Sequence, residues 1–91
     1  MRVEWAESAL QDRQRIFEFL YPINPRAAEQ ADIELMKSIK LLTSNPHLGK
    51  AWYGRMRKLL VSRASLLIVY FIEQEALKIL AVAHQKERFP N

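Results

Sequence analysis

Met1, Val3 and Trp5 alternate with Arg2 and Glu4, the period of two that belongs to a strand with one buried face. The period then changes. Ala6, Ala9, Leu10, Arg13, Ile16, Phe17 and Leu20 recur at helical spacing, with Gln11, Asp12, Gln14, Arg15 and Glu18 opposite them. This predicts a helix of about four turns, ended by Tyr21-Pro22. Asn24-Pro25 restarts the chain, because asparagine is a good N-cap and proline suits the first helical position, where its missing N–H is no loss. The second helix is predicted from Pro25 to about Thr43. It buries Ala28, Ala31, Leu35, Met36, Ile39 and Leu42 and turns Arg26, Glu29, Glu34, Lys37 and Lys40 to water. So short a link between the two helices forces an antiparallel hairpin.

Ser44-Asn45-Pro46 stops the second helix. The segment from Leu48 to Gly54 reads as a loop bounded by Gly49 and Gly54, both expected to take backbone angles that other residues resist. Three β-rich runs follow, Met56 to Val61, Leu66 to Ile72 and Leu77 to Ala83. Their connections are too short for a parallel crossover and predict an antiparallel meander. The fold class is therefore α+β in the order β-α-α-β-β-β, an antiparallel helical hairpin packed on a twisted antiparallel sheet. The middle run is unusual, since Leu66 to Ile72 is apolar at every position while an antiparallel strand usually shows one face to water. The hairpin covers only one face. The other falls to the C-terminal tail, to the loop carrying Trp52 and Tyr53, or to another chain. A partner chain is the favoured reading, because a bare apolar strip is an aggregation hazard.

Length and composition narrow the setting. Ninety-one residues suffice for a single domain, 1–91, since a chain of this size buries only roughly 60–65% of its unfolded surface and cannot divide its core. Hydrophobic content of 49% with 26% charge is that of a folded globule. The absence of cysteine excludes disulfides, a thiolate zinc site and a cysteine nucleophile, and suits a reducing cytoplasm. Charges within the first residues leave no apolar core for a signal peptide, and the longest apolar run falls far short of the roughly 20 residues of a membrane span. The expectation is an intracellular, cytoplasmic protein with no membrane partner. Residues 1–45 hold six basic against seven acidic side chains, and residues 46–91 hold eight against three, so the whole excess of +4 lies on the sheet half. Such a field draws polyanions or acidic protein partners.

Candidate chemistry is sparse. His47 and His84 are far apart with no carboxylate spacing around them, so no metal site is expected, and no cofactor. His84, ending the last strand, is either hydrogen-bonded to a backbone group or a proton-transfer group near neutral pH. No glycine-rich phosphate loop or serine nucleophile motif is present. What remains is a cationic and aromatic set: Arg55, Arg57, Lys58, Arg63, Lys86, Arg88 and Phe89. The meander is expected to bring these groups to one end of the sheet, where gathered guanidiniums bind phosphates or carboxylates.

An ordered set of short motifs runs through nearly the whole chain: Trp5-Ala6, Asn24-Pro25-Arg26-Ala27-Ala28, Asn45-Pro46-His47-Leu48-Gly49, Gly54-Arg55-Met56-Arg57-Lys58-Leu59, Ile68-Val69-Tyr70 and Ile79 to His84. In order and spacing the chain resembles the RelE/ParE superfamily, the toxins of bacterial type II toxin–antitoxin systems. The resemblance implies growth arrest by one of two routes. ParE-like members bind DNA gyrase, whereas RelE-like members enter the ribosome and cut mRNA with Arg, Lys and often a C-terminal Tyr. The tail His84-Gln85-Lys86-Glu87-Arg88-Phe89-Pro90-Asn91 is similar to the ParE-like ending, with Lys86 and Glu87 in place of two arginines, and no tyrosine follows Tyr70. The ParE-like route, which is not enzymatic, is therefore expected. Target contacts would come from Trp52, Arg57, Lys58, Lys86, Arg88 and Phe89, and an antitoxin would cover Leu67, Val69 and Phe71. In the alternative, an endoribonuclease would use Arg57 and Arg63 on the phosphate and His84 or Lys86 for proton transfer. The implied assemblies are a homo-oligomer or a toxin–antitoxin hetero-oligomer.

Overall fold

In the computed structural model, which describes residues 1–87, the chain runs β1 (Arg2–Trp5), α1 (Glu7–Leu20), α2 (Pro25–Ser44), β2 (Lys50–Ala51), β3 (Arg57–Val61), β4 (Leu66–Glu73) and β5 (Ala76–His84). The strands form one sheet in the order β1-β5-β4-β3-β2. β3, β4 and β5 are the predicted antiparallel meander. The α+β class and the helical hairpin stand as the sequence implies. Two features differ from expectation. β1 lies parallel to β5, since the hairpin returns the chain before the meander begins, and two residues inside the glycine-bounded loop form β2 against Lys58 and Arg57. A two-residue strand is too short to leave a periodic signal.

Local chemistry sets the helix ends. The Asn24 side chain accepts from the backbone N–H groups of Arg26 and Ala27, and Pro25 follows it at the first turn. From the helices, Ala9, Ile16, Leu20, Ala28, Ala31, Leu35, Ile39 and Leu42 meet Leu66, Ile68, Tyr70, Leu77, Ile79 and Val82 from the sheet. The buried stripe is narrower than the pattern suggests: Leu10 and Met36, at its margins, are 48% and 38% exposed. Glu34, expected on the polar face, is buried instead and accepts from Gln30 Nε2 one turn earlier. Arg13 belongs to the interface because its guanidinium makes two hydrogen bonds to Asp32 across the hairpin, at 2.7 and 2.8 Å, with the Trp5 ring beneath it.

β1 stops at Trp5, so β5 beyond Ile79 has no strand on that side. α1 supplies the missing partners. Ser8 Oγ donates to the Leu80 carbonyl at 3.1 Å, and Asp12 Oδ2 accepts from the Val82 N–H at 2.9 Å. Leu80 is itself an extra residue, since Val69 faces Ala81 while Tyr70 faces Ile79. The bulge and two side chains thus close an edge that would otherwise be open to strand addition.

Tyr70, fully buried in β4, fixes the entry to the sheet. Its hydroxyl donates to the Pro46 carbonyl and accepts from the Gly49 N–H, both at 2.8 Å. Gly54 has the expected left-handed φ of 55°, but Gly49 does not; its requirement is space. A Cβ at Gly49 would lie 2.6 Å from the Tyr70 hydroxyl and 2.9 Å from the Lys58 carbonyl. Tyr70→Phe strands both loop groups and is expected to lower unfolding free energy by about 1–3 kcal/mol. Gly49→Ala must move backbone as well as the ring and is expected to cost at least as much. Denaturant unfolding monitored by tryptophan fluorescence measures both, and an unchanged midpoint for either variant would refute the tether.

Candidate functional site

The two faces of β4 have different fates. Leu66, Ile68 and Tyr70 point into the helix-covered core, while Leu67, Val69 and Phe71 point the other way and are half-buried. Register places Leu60 beside Leu67, Lys58 and Ala81 beside Val69, and Lys78 beside Phe71, with Ala83 next to Leu67. The result is an apolar strip down the sheet, shallow where the alanines lie, with Leu60 53% exposed. Charges frame it: Lys78 bonds Glu4, Arg55 stands 5.5 Å from the Phe71 ring, and Lys58 Nζ stands 5.4 Å from the Trp52 ring. The aromatic loop reaches only one end of the strip. The described part of the tail turns instead towards α1, so neither of these roofs the strip among the described residues.

The basic residues do not gather as expected. Arg57 pairs with Tyr70 at the opening of β3, whereas His84 pairs with Leu66 at the far end of the sheet. Arg55, Arg57 and Lys58 therefore lie at one end, and Arg63 and Lys86 at the other. An odd number of strands in the meander puts the start of β3 and the finish of β5 on opposite sides. Arg57 is also already engaged: its Nη1 donates to the Gly49 carbonyl at 2.8 Å and to the His47 carbonyl at 3.4 Å. Beside it stands an exposed aromatic pair, Trp52 and Tyr53, with rings 5.0 Å apart and 45% and 67% exposed.

At the far end, three elements converge on the residues after β5. Arg15 of α1 grips Glu87 through two hydrogen bonds, at 2.8 and 3.1 Å, and also bonds Asp12. Glu87 in turn accepts from the His84 N–H, and His84 Nδ1 accepts from the Lys86 N–H at 3.1 Å. The hydrogen bond to Arg15 holds the Glu87 carboxyl below the usual range, and burial pushes the His84 imidazole down. His84 is thus the strand-end residue bonded to a backbone group. Arg15 and Glu87 gave no sequence signal, since their contact spans 72 positions and each alone reads as a solvated surface charge. Arg88 and Phe89 lie outside the described residues. Among the described residues no cluster of His, Asp or Glu could hold a metal ion, and no helix is long and apolar enough to cross a membrane.

Comparison with known proteins agrees with this architecture. Residues 3–89 match the family model of the ParE toxin of the type II toxin–antitoxin system parDE. The chain belongs to this toxin family. A solved chromosomal ParDE toxin–antitoxin system from P. aeruginosa superposes with a TM-score of 0.80 at 20% identity, over 92% of this chain and 95% of the other. The intact E. coli RelBE toxin–antitoxin complex is also similar in fold, with a TM-score of 0.67 at 14% identity, over 94% and 98% of the two chains. No curated protein sequence matches.

Two outcomes follow from this geometry. Ile68→Lys places an ammonium in the sealed core and is expected to prevent folding, whereas Val69→Lys on the outer face keeps the native circular dichroism spectrum. Equal collapse of both would show that the chain covers its own strip. The second concerns acid. Unfolded histidine binds protons below about pH 6.5 while buried His84 resists them, so stability present above that value is lost on acidification through the lower folded pKa; Glu87 adds a further loss at lower pH. Melting temperature is expected to fall from pH 7 to pH 5, and less so in His84→Gln. An identical slope in the variant would remove His84 from the account.

Proposed function

We propose that this cytoplasmic toxin arrests growth by binding DNA gyrase directly, and that a cognate antitoxin neutralises it by laying an amphipathic segment along Leu67, Val69 and Phe71. One observation carries the preference for contact over catalysis. Of the four groups that an endoribonuclease would need, Arg57 lies at the opposite end of the sheet from Arg63, His84 and Lys86 and is tied to loop carbonyls, while His84 is buried with Nδ1 already bonded. Phosphoryl chemistry requires cations converging on one phosphate. The gyrase contact rests on the exposed Trp52 with Lys58 over its ring and, at the other end of the sheet, on Lys86 with Arg88 and Phe89, which lie outside the described residues. Arg57, named for the same surface on sequence grounds, serves by shaping the loop. An exposed tryptophan in a cationic rim is the residue type that dominates protein interfaces.

Purified toxin titrated into a gyrase supercoiling reaction is expected to inhibit it, and Trp52→Ala is expected to weaken inhibition by about 30-fold while leaving the fold intact. Complete supercoiling at saturating toxin overturns the proposal. Primer extension on mRNA translated with toxin tests the ribosome-dependent nuclease; cuts within the ribosomal A site would replace the gyrase reading with that one.

A further inference from the structure

A cleft of 310 Å3 opens between the hairpin and the turn joining β3 to β4, at the opposite end from Trp52. Its floor is apolar, built by Leu20, Ala27, Ala31 and Ala64, and its rim carries Arg63, Lys86, Gln30 and Ser65. Elsewhere among the described residues Arg2, Arg13, Arg15, Lys37, Arg55 and Lys78 make ion pairs, whereas Arg26, Lys40, Lys50, Arg57 and Lys58 make none and line no part of this cleft. Arg63 and Lys86 have none among the described residues, and both open onto this one cleft. Two carboxylates lie on adjoining segments, and Glu87 accepts from the His84 backbone N–H at 3.3 Å, but each is already engaged by a cation. Glu87 is gripped by Arg15, and Glu34 is reached through the Gln30 amide, with Lys37 beside it.

A third group points the same way. His84 is 6% exposed and lines the cleft. Because its Nδ1 accepts from the Lys86 N–H, the neutral ring carries its proton on Nε2. That N–H has no protein partner among the described residues, yet no sealed side-chain nitrogen or oxygen among them is unpartnered. Nε2 is therefore reached from outside, and the cleft is the opening that His84 lines. A buried donor left for an external acceptor, between two unneutralised cations, is the composition of an anion site.

We propose that this cleft binds a single oxyanion, a phosphate or a carboxylate, held between Arg63 and Lys86 with the Nε2–H of His84 as the buried donor. The guanidinium supplies paired donors matched to two oxygens, and the ammonium supplies charge at the opposite lip. The apolar floor accommodates a short carbon stem behind the anionic head. Lys86 is shared with the proposed gyrase contact, so the site is tested by direct anion titration, whose outcome is separate from that of gyrase inhibition.

Inorganic phosphate and acetate, each titrated at constant ionic strength into isotope-labelled protein, test the site by nuclear magnetic resonance. Saturable shifts are expected at the His84 ring and at the amides of Ala64, Ser65 and Lys86, with the rest of the spectrum unmoved. Arg63 is exposed, so Arg63→Ala should keep the fold and weaken binding by about tenfold, the loss of one charge-assisted contact. Lys86→Ala provides the same comparison independently. Tighter binding of phosphate assigns a phosphoryl ligand and tighter binding of acetate assigns a carboxylate. Shifts that rise linearly without saturating, that sodium chloride reproduces, or that survive both substitutions would overturn the site.

Discussion

The hydroxyl of Tyr70 joins parts of the chain that are otherwise unconnected. It stands in the central strand of the sheet and reaches the backbone on both sides of the turn that leaves α2, through Pro46 and Gly49. In a sealed core an unpaired hydroxyl is costly, so the ring can sit there only if the loop comes to it. The loop, once drawn in, has no room for a side chain at Gly49 and presents its carbonyls to Arg57. β2 then forms beside β3, and Trp52 is carried to the edge of the outer face. Burial in one strand thereby decides where an exposed aromatic group stands.

The same strand divides the molecule into a finished side and an unfinished one. Two helices cover the inner face of the sheet, and α1 also completes the free edge of β5 with Ser8 and Asp12. The outer face has no such cover among the described residues. Its apolar strip is kept shallow by Ala81 and Ala83 and bordered by Lys58, Arg55 and the Glu4–Lys78 pair. Such a surface offers apolar area to a partner while its charged frame limits self-association.

Charge follows a similar division. Half of the ionic groups are satisfied internally, and some of these contacts are structural: Arg13 with Asp32 locks the hairpin, and Arg15 with Glu87 ties the residues after β5 to α1. Among the described cations without a carboxylate, Lys58 stands beside Trp52, whereas Arg63 and Lys86 stand at the cleft that His84 lines. Two distinct electrostatic surfaces arise from what reads in the sequence as one basic half.

Periodicity and punctuation were enough to determine the helices, the meander and the two-faced β4, because each depends on neighbours within a few positions: Asn24-Pro25 begins α2, and Leu66 to Ile72 declares itself by being apolar throughout. The family was legible for the same reason, as a series of local motifs in order. The site was only partly so. Leu67, Val69 and Phe71 follow from alternation, but the engagement of Arg57 by Gly49, the clamp of Arg15 on Glu87, the burial of Glu34 and the separation of Lys58 from Lys86 are decided by tertiary structure alone. A charged side chain reads the same in sequence whether it meets water, a carbonyl or a carboxylate. Only the packing of distant segments determines which of these it finds.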